Sequence, residues 1–125
     1  MRIEELDTPA LLIDREILES NLQRMQDYAN RNHVALRPHT KTHKMPAIAR
    51  RQMDLGACGI AVAKVGEAEV MAEQGLRDIL IANEIVGQRK LQRIAALRRA
   101  GRPGPEGGPG HRPGGDCPAG LRRHP

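Results

Sequence analysis

The chain is short, basic and poor in aromatic residues: it has 125 residues, a net charge of +5, one tyrosine and neither Trp nor Phe. Its length accommodates one domain. Because the chain lacks aromatic platforms for stacking bases and its opposite charges are interspersed, the composition argues against a nucleic-acid-binding surface.

No apolar run approaches the length of a membrane span, and the charged start of the chain does not resemble a signal peptide. Cys58 and Cys117 are too few and too far apart for a disulfide framework or a zinc site, so we expect a protein of the reducing cytoplasm.

Short apolar runs alternate with amphipathic segments along most of the chain. The apolar runs predict four strands, at residues 10–13, 34–37, 58–62 and 78–83, and the intervening segments predict helices at residues 15–32, 46–55, 66–75 and 88–99. Asp14 is the expected N-cap of the first helix, and Pro46 lies in the first turn of the second. Strands that alternate with helices predict an α/β fold with a parallel sheet.

The sequence also predicts which individual side chains are buried and which face solvent. Four apolar residues of the first helix recur at helical spacing and predict a packed face: Leu18, Leu22, Met25 and Ala29. Cys58 is expected to be a small buried apolar side chain, because no histidine pairs with it in sequence. The carboxylates of the helix at residues 66–75 are expected to face solvent. Asn83 ends the fourth predicted strand and Glu84 follows it; both are secondary site candidates, since residues at such positions more often cap or face solvent.

The chain changes character after Ala100. Residues 101–125 contain 8 glycines and 6 prolines, and Leu121 is their one large aliphatic residue, so they predict a disordered tail beyond a domain at residues 1–100. One interpretation is a flexible tail. The other, which we favour as a hypothesis, is a frameshift in a GC-rich coding sequence, because the composition switches where a fifth strand is due. If no other reading frame downstream of Ala100 encodes further strand and helix periodicity, the frameshift hypothesis is wrong.

A polar loop follows the second predicted strand and has the sequence RPHTKTHK at residues 37–44. Loops at the carboxyl ends of strands are where α/β sheets place their chemistry. A lysine becomes a nucleophile only when its ammonium loses a proton near neutral pH, and neighbouring cations favour that loss. Lys41 lies close to the strand end, whereas Lys44 adjoins the next helix, so Lys41 is the predicted nucleophile. The spacing alone is equally compatible with a solvated basic loop that attracts phosphate.

Three stretches together carry a resemblance to a known family: DTPALLID at residues 7–14, LRPHTKTHK at residues 36–44 and GEAE at residues 66–69. They resemble the D-threonine aldolase and D-serine dehydratase group of the alanine-racemase-like (fold type III) enzymes, which use pyridoxal phosphate. The resemblance runs from about Leu6 to about Arg99 and implies the first half, about four βα units, of a (β/α)8 TIM barrel.

The resemblance also implies the roles of the loop residues. Lys41 matches the lysine that carries pyridoxal phosphate as a Schiff base. Further cofactor-binding candidates, which would orient the cofactor ring or tune Lys41, are Arg37, His39, Thr40 and His43. Structural support of the loop is an equally weighted alternative for these residues.

The activity implied by the resemblance is that of a lyase acting on D-3-hydroxy amino acids. Such an enzyme either cleaves the Cα–Cβ bond or eliminates the β-hydroxyl, and a divalent metal on the β-oxygen assists. The expected partner is a small-molecule D-amino acid, with no nucleic acid or membrane, and full-length relatives are expected to be homo-oligomers.

The length of the chain limits what the resemblance allows. A full barrel needs roughly 250 residues, and the metal ligands of the group lie in a C-terminal β domain, so none is assigned in this chain, not even to His111 or His124. We therefore expect a truncated chain that is inactive by itself. Two alternatives stay open: a non-catalytic protein that binds pyridoxal phosphate through Lys41, and a remnant without function.

Overall fold

The structure is a computed structural model, which describes residues 2–100. The predictions for the tail at residues 101–125, including those for Cys117, His111 and His124, lie outside the described residues. Within residues 2–100, no helix is long and apolar enough to cross a membrane.

Helices alternate with short strands along the described residues. In chain order the helices and strands are α1 (Arg15–Arg31), α2 (Pro46–Asp54), β1 (Ile60–Val62), α3 (Val65–Glu73), β2 (Ile79–Ile81) and α4 (Gln88–Ala100). Two 3-10 helices, Ile3–Glu5 and Thr40–Thr42, complete the set. β1 and β2 pair in parallel, with Ile60 opposite Ile79 and Val62 opposite Ile81. The α/β class and the parallel sheet are therefore confirmed.

The four predicted helices form within a residue or two of their expected ends, and three of these ends carry a clear local signal. Asp14 caps α1, its carboxylate accepting a hydrogen bond from the Ile17 N–H at 2.9 Å. Pro46 opens α2, where its missing N–H costs nothing. Gly75 follows α3 with φ +84°, a left-handed conformation that glycine adopts without a Cβ clash and that ends the helix.

The predicted strand at residues 34–37 does not form as a strand. The chain still runs parallel to β1, since the Cys58 N–H donates to the Leu36 carbonyl at 2.9 Å and the Ala61 N–H donates to the Pro38 carbonyl at 2.8 Å. In this part of the described chain a single bridge, between His39 and Ala61, meets the pattern of a parallel ladder. The physical reason is Pro38, which has no N–H and therefore interrupts the ladder.

The predicted strand at residues 10–13 is also absent. The segment pairs with no strand among the described residues, and Leu11 is 94% exposed, with Leu12 and Ile13 about half exposed. An apolar run signals a strand only if a neighbouring strand is present to pair with it. The described residues thus contain two strands where the sequence predicted four.

The core lies between the sheet and the helices α2, α3 and α4. Its buried members are Ala49, Ile60, Val62, Ala68, Met71 and Leu76, and Met53, Ile79, Ile81 and Leu97 pack against them. β1 is buried along its whole length, whereas Leu80 at the centre of β2 is 51% exposed. β1 is therefore the central element that positions the residues at both ends of the sheet.

Helix α1 is less buried than its pattern predicts. Of the four residues on its predicted packed face, Ala29 is buried, Leu18 and Leu22 are half-buried, and Met25 is 50% exposed. Cys58 is likewise half-buried, where the sequence predicted a buried side chain.

Candidate active site

The second half of the loop, residues 40–44, lies at the carboxyl end of β1. Because the chain runs parallel to β1 up to the bridge between His39 and Ala61, the residues after His39 continue toward the end of that strand. There they form the 3-10 helix Thr40–Thr42, and Lys44 approaches the first turn of α3. The loop therefore occupies the edge of the sheet at which α/β folds place their chemistry.

Thr40 anchors this loop. Its side chain is only 1% exposed, and its Oγ1 donates to the Ala61 carbonyl at 3.2 Å. Its own carbonyl accepts from the Lys44 N–H at 2.7 Å, which closes the turn. A buried hydroxyl needs a partner, and this one uses it to tie the loop to the central strand. The contacts of Thr40 match the structural alternative to cofactor binding.

Lys41 lies on the anchored turn with its side chain exposed. Its backbone N–H donates to His39 Nδ1 at 3.2 Å, so the His39 side chain caps the turn. Among residues 2–100 the Lys41 amine takes part in no ion pair. The turn thus fixes the backbone of Lys41 and leaves its amine accessible to a ligand.

His43 closes the inner side of the loop. Its Nδ1 accepts from the Met45 N–H at 3.0 Å, and its Nε2 is buried. Burial lowers the pKa of His43 below its ordinary value, while the Gln52 side chain acts in the opposite direction. His43 therefore favours the neutral form and supports the loop without adding charge.

Glu67 belongs to this site, although the sequence predicted a solvated carboxylate. Its side chain is 13% exposed, its Oε2 accepts from the Ala63 N–H at 2.8 Å, and its Oε1 lies 3.5 Å from Lys44 Nζ. The Ala63 N–H, followed by the charge of Lys44, lowers the pKa of Glu67 despite an opposing effect of burial. The available signal was its place in the first turn of α3, where a glutamate reaches back to a free N–H.

Arg37 lies at the other end of the sheet. Its Nη1 is 2.8 Å from Asp78 Oδ1 and 3.4 Å from the Ile60 carbonyl, both near the amino ends of the strands. The guanidinium covers Gly59 closely: a Cβ built at Gly59 would lie 2.6 Å from Arg37 Cζ. These contacts favour a structural role for Arg37, and its predicted role in cofactor binding stays a prediction.

Asn83 and Glu84 follow β2 at the same edge as the loop. Asn83 Nδ2 donates to the Ala63 carbonyl at 3.3 Å. Both residues line a cavity of about 530 Å³ whose cationic lining residues are Lys44, Lys64, Lys90 and Arg93. The cavity begins where the loop ends, since its lining includes Lys44 and not Lys41.

The described residues fit one of the two expected cofactors. An accessible lysine amine at the carboxyl edge, beside a cationic cavity, suits a phosphate-bearing aldehyde. A divalent metal is not matched, because no group of three or more His, Cys, Asp or Glu side chains within residues 2–100 could hold one. The metal expected of the family therefore has no ligand set in this part of the chain.

An anchored loop at the carboxyl edge of a parallel α/β sheet defines the general class, an α/β protein with part of a barrel-type site. Within that class, the chain belongs to the family described as alanine racemase, N-terminal domain, which matches residues 13–100.

Individual relatives refine this assignment. The chain is 48% identical over 97 residues to a D-threonine aldolase from Arthrobacter sp, covering 78% of this chain and 26% of the relative. It is 42% identical over 94 residues to a D-threo-3-hydroxyaspartate dehydratase from Delftia sp. (strain HT23), covering 75% and 25%. The crystal structure of a D-threonine aldolase from Filomicrobium marinum superposes with a TM-score of 0.74 at 53% identity, covering 76% and 26%. The chain thus spans about a quarter of the length of these relatives.

Proposed function

We propose that these residues form the cofactor-anchoring part of a lyase that uses pyridoxal phosphate and acts on D-3-hydroxy amino acids. Lys41 is the residue that binds the cofactor covalently. The observation that carries the proposal is the position of Lys41, whose amine is exposed on a turn that buried Thr40 fixes to the central strand. The similarity to both an aldolase and a dehydratase supports the substrate class, because the substrates for which these relatives are named share a D-amino acid with a 3-hydroxyl group.

The loop residues and the neighbouring cavity have different roles in this site. Thr40 and His39 hold the backbone of the turn through the Ala61 carbonyl and the Lys41 N–H, so the amine extends from a fixed point. Half-buried, largely neutral His43 supports the end of the loop by accepting from the Met45 N–H. The cationic cavity after β1 and β2 attracts the anionic phosphate and carboxylate of cofactor and substrate.

When bound, pyridoxal phosphate supplies the electron sink that stabilises a carbanion at the substrate Cα. We expect the 125 residues by themselves to attach the cofactor without turnover, because the relatives named as enzymes are about four times longer than the stretch that this chain matches. In the full enzyme, cleavage breaks the bond between Cα and Cβ, whereas elimination removes the proton on Cα and the β-hydroxyl. Both reactions use the same lysine.

The test is competition at Lys41. The chain is equilibrated with pyridoxal phosphate, incubated with D-threonine or L-threonine, and reduced with borohydride, and the Lys41 peptide is quantified by mass spectrometry. A substrate amine that is recognised displaces Lys41 and lowers its labelling. We expect D-threonine to lower it more than L-threonine, and equal effects would contradict the assigned substrate class.

A matched pair of variants controls for non-specific attachment. Lys41→Ala should lose the cofactor retained after dialysis, whereas Lys90→Ala, which removes one cation from the neighbouring cavity, should weaken retention without abolishing it. Retention by Lys41→Ala equal to that of the unsubstituted chain would contradict the role of Lys41.

A further inference from the structure

The two lysines of the loop have different surroundings. Lys41 is exposed and its amine takes part in no ion pair within residues 2–100, whereas Lys44 Nζ lies 3.5 Å from Glu67 Oε1. The two amines are chemically identical and three positions apart in sequence. Any preference of an aldehyde for one of them must therefore come from what surrounds it.

Glu67 is well placed to create this difference. Its carboxylate is held from two sides, by the Ala63 N–H at 2.8 Å and by Lys44, and its side chain is only 13% exposed. A carboxylate fixed by a backbone N–H does not have to be ordered when it pairs with a lysine, so it loses less conformational entropy than a surface glutamate does.

The backbone of Lys44 is arranged to make this contact. Lys44 has φ +52°, in the left-handed region that is uncommon for residues other than glycine. Its N–H donates to the Thr40 carbonyl at 2.7 Å, which holds that conformation. The turn thus directs Lys44 toward α3, away from the course of the chain at Lys41. Backbone strain of this kind is commonly found at functional sites.

We infer that Glu67 is a specificity determinant, which engages Lys44 so that an aldehyde cofactor attaches to Lys41. The inference rests on the proposed function, since it assumes an aldehyde that reacts with this loop. Glu67 acts through Lys44 and is a positioning residue, not a catalytic one.

Two physical effects produce the selection. A lysine attacks an aldehyde only as the neutral amine, so Lys44 must first lose the charge that pairs with Glu67, whereas within residues 2–100 Lys41 has no ion pair to give up. The fixed carboxylate also offsets the positive charge of Lys44, which weakens the attraction of the anionic phosphate to that amine. Both effects disfavour the same product.

The labelling reaction balances without any further reactant. The lysine nitrogen, as a neutral amine, attacks the aldehyde carbon, the carbonyl oxygen leaves as water, and a carbon–nitrogen double bond remains. Borohydride then delivers a hydride to that carbon and a solvent proton goes to nitrogen, which gives a stable secondary amine.

The test measures the ratio of Lys44 to Lys41 labelling in the full chain after pyridoxal phosphate and borohydride. Glu67→Gln removes the charge and keeps an oxygen that can accept from the Ala63 N–H, so the fold is retained. Because an exposed ion pair changes an equilibrium by a small factor, we expect the ratio to rise roughly two- to five-fold. The matched control is Glu69→Gln, which removes the partner of Arg93 on the same helix and should leave the ratio unchanged.

A second measurement varies the ionic strength. Lys44 is 60% exposed, so salt screens its pair with Glu67, and the ratio should rise with ionic strength in the unsubstituted chain and stay constant in Glu67→Gln. An unchanged ratio in Glu67→Gln would overturn the inference. So would an equal rise of labelling at Lys44, Lys64 and Lys90, which indicates general loosening of the chain.

Failure of this inference and failure of the proposed function give different results. If Lys41 is labelled in every variant and only the ratio fails to respond to Glu67→Gln, selection by Glu67 is wrong and the role of Lys41 stands. If Lys41 is not labelled in the unsubstituted chain, the proposed function itself is wrong.

Discussion

The two ends of the small sheet use the cations of one loop in opposite ways. At the amino end, Arg37 is ion-paired with Asp78 and donates toward the Ile60 carbonyl, so its charge is used within the fold. At the carboxyl end, buried Thr40 anchors the turn, and the Lys41 amine is left exposed. Arg37 and Lys41 carry the same charge and lie four positions apart, yet one stabilises the fold and the other is available for chemistry. The direction in which the backbone turns decides which role each side chain has.

Both ends depend on β1, so the largest expected effect comes from its core. Ile60 is fully buried, and Ile60→Ala should lower the free energy of unfolding by about 2–5 kcal/mol. Leu80→Ala on β2 is the matched control, because Leu80 is 51% exposed and should cost under about 1 kcal/mol. Denaturant unfolding measures both, and equal costs would contradict the central place of β1 in the core.

The carboxyl end is tested next, at the anchor of the turn. Thr40→Val keeps the shape of the side chain but removes the donor to the Ala61 carbonyl, so we expect a loss of about 1–3 kcal/mol in unfolding free energy. Labelling by pyridoxal phosphate should also become less selective for Lys41. The control is Thr42→Val, two positions along the same turn and exposed, which should change neither quantity. Equal behaviour of the two variants would mean that Thr40 does not anchor the loop.

The amino end is tested at Gly59, over which Arg37 lies. A Cβ there displaces the guanidinium, and losing its half-exposed pair with Asp78 should cost about 1–2 kcal/mol. Gly66→Ala is the control, since its Cβ lies 3.6 Å from the nearest atom and alanine favours the helix.

The same variant separates the two ends of the sheet. If they are independent, Gly59→Ala lowers stability and leaves the selectivity of labelling for Lys41 unchanged. A loss of that selectivity in Gly59→Ala would mean that Arg37 contributes to the cofactor site and would contradict the independence of the two ends.

The smallest expected effect is a pH dependence at His43. Burial lowers its pKa in the folded state, so the unfolded chain binds a proton more readily. The contribution of neutral His43 to the free energy of unfolding should therefore be fully present above the ordinary histidine pKa of 6.5. It should decrease as the pH falls from there through the lowered pKa of the folded state. Replacing the residue, as in His43→Asn, should flatten this slope in unfolding experiments. An unchanged slope would assign the pH dependence to other groups.

The helices of this fold could be predicted from the sequence because their ends carry local signals. Asp14, Pro46 and Gly75 each act through a backbone group within their own turn, so no distant partner has to be known. Strands lack such signals. The segment at residues 10–13 has the composition of a strand, yet strand formation depends on a neighbour that the segment itself does not specify.

The site was predictable in part for a related reason. The position of Lys41 after an extended segment follows from chain order, and the structure places its turn at the expected edge of the sheet. The burial of Thr40 and the pairing of Glu67 with Lys44 depend on how close the loop lies to β1 and α3, and sequence spacing does not contain that distance. Arg37, grouped with the cofactor site by its neighbours in sequence, contacts the opposite end because its side chain crosses Gly59.

The central claim is that the fold singles out Lys41 for covalent attachment of pyridoxal phosphate. It is tested most directly by reducing the chain with borohydride in the presence of the cofactor and mapping the modified lysines by peptide mass, with Lys41→Ala in parallel. We predict modification concentrated on Lys41 and lost in Lys41→Ala. Modification spread evenly over Lys41, Lys44, Lys64 and Lys90, or found on none of them, would contradict the claim.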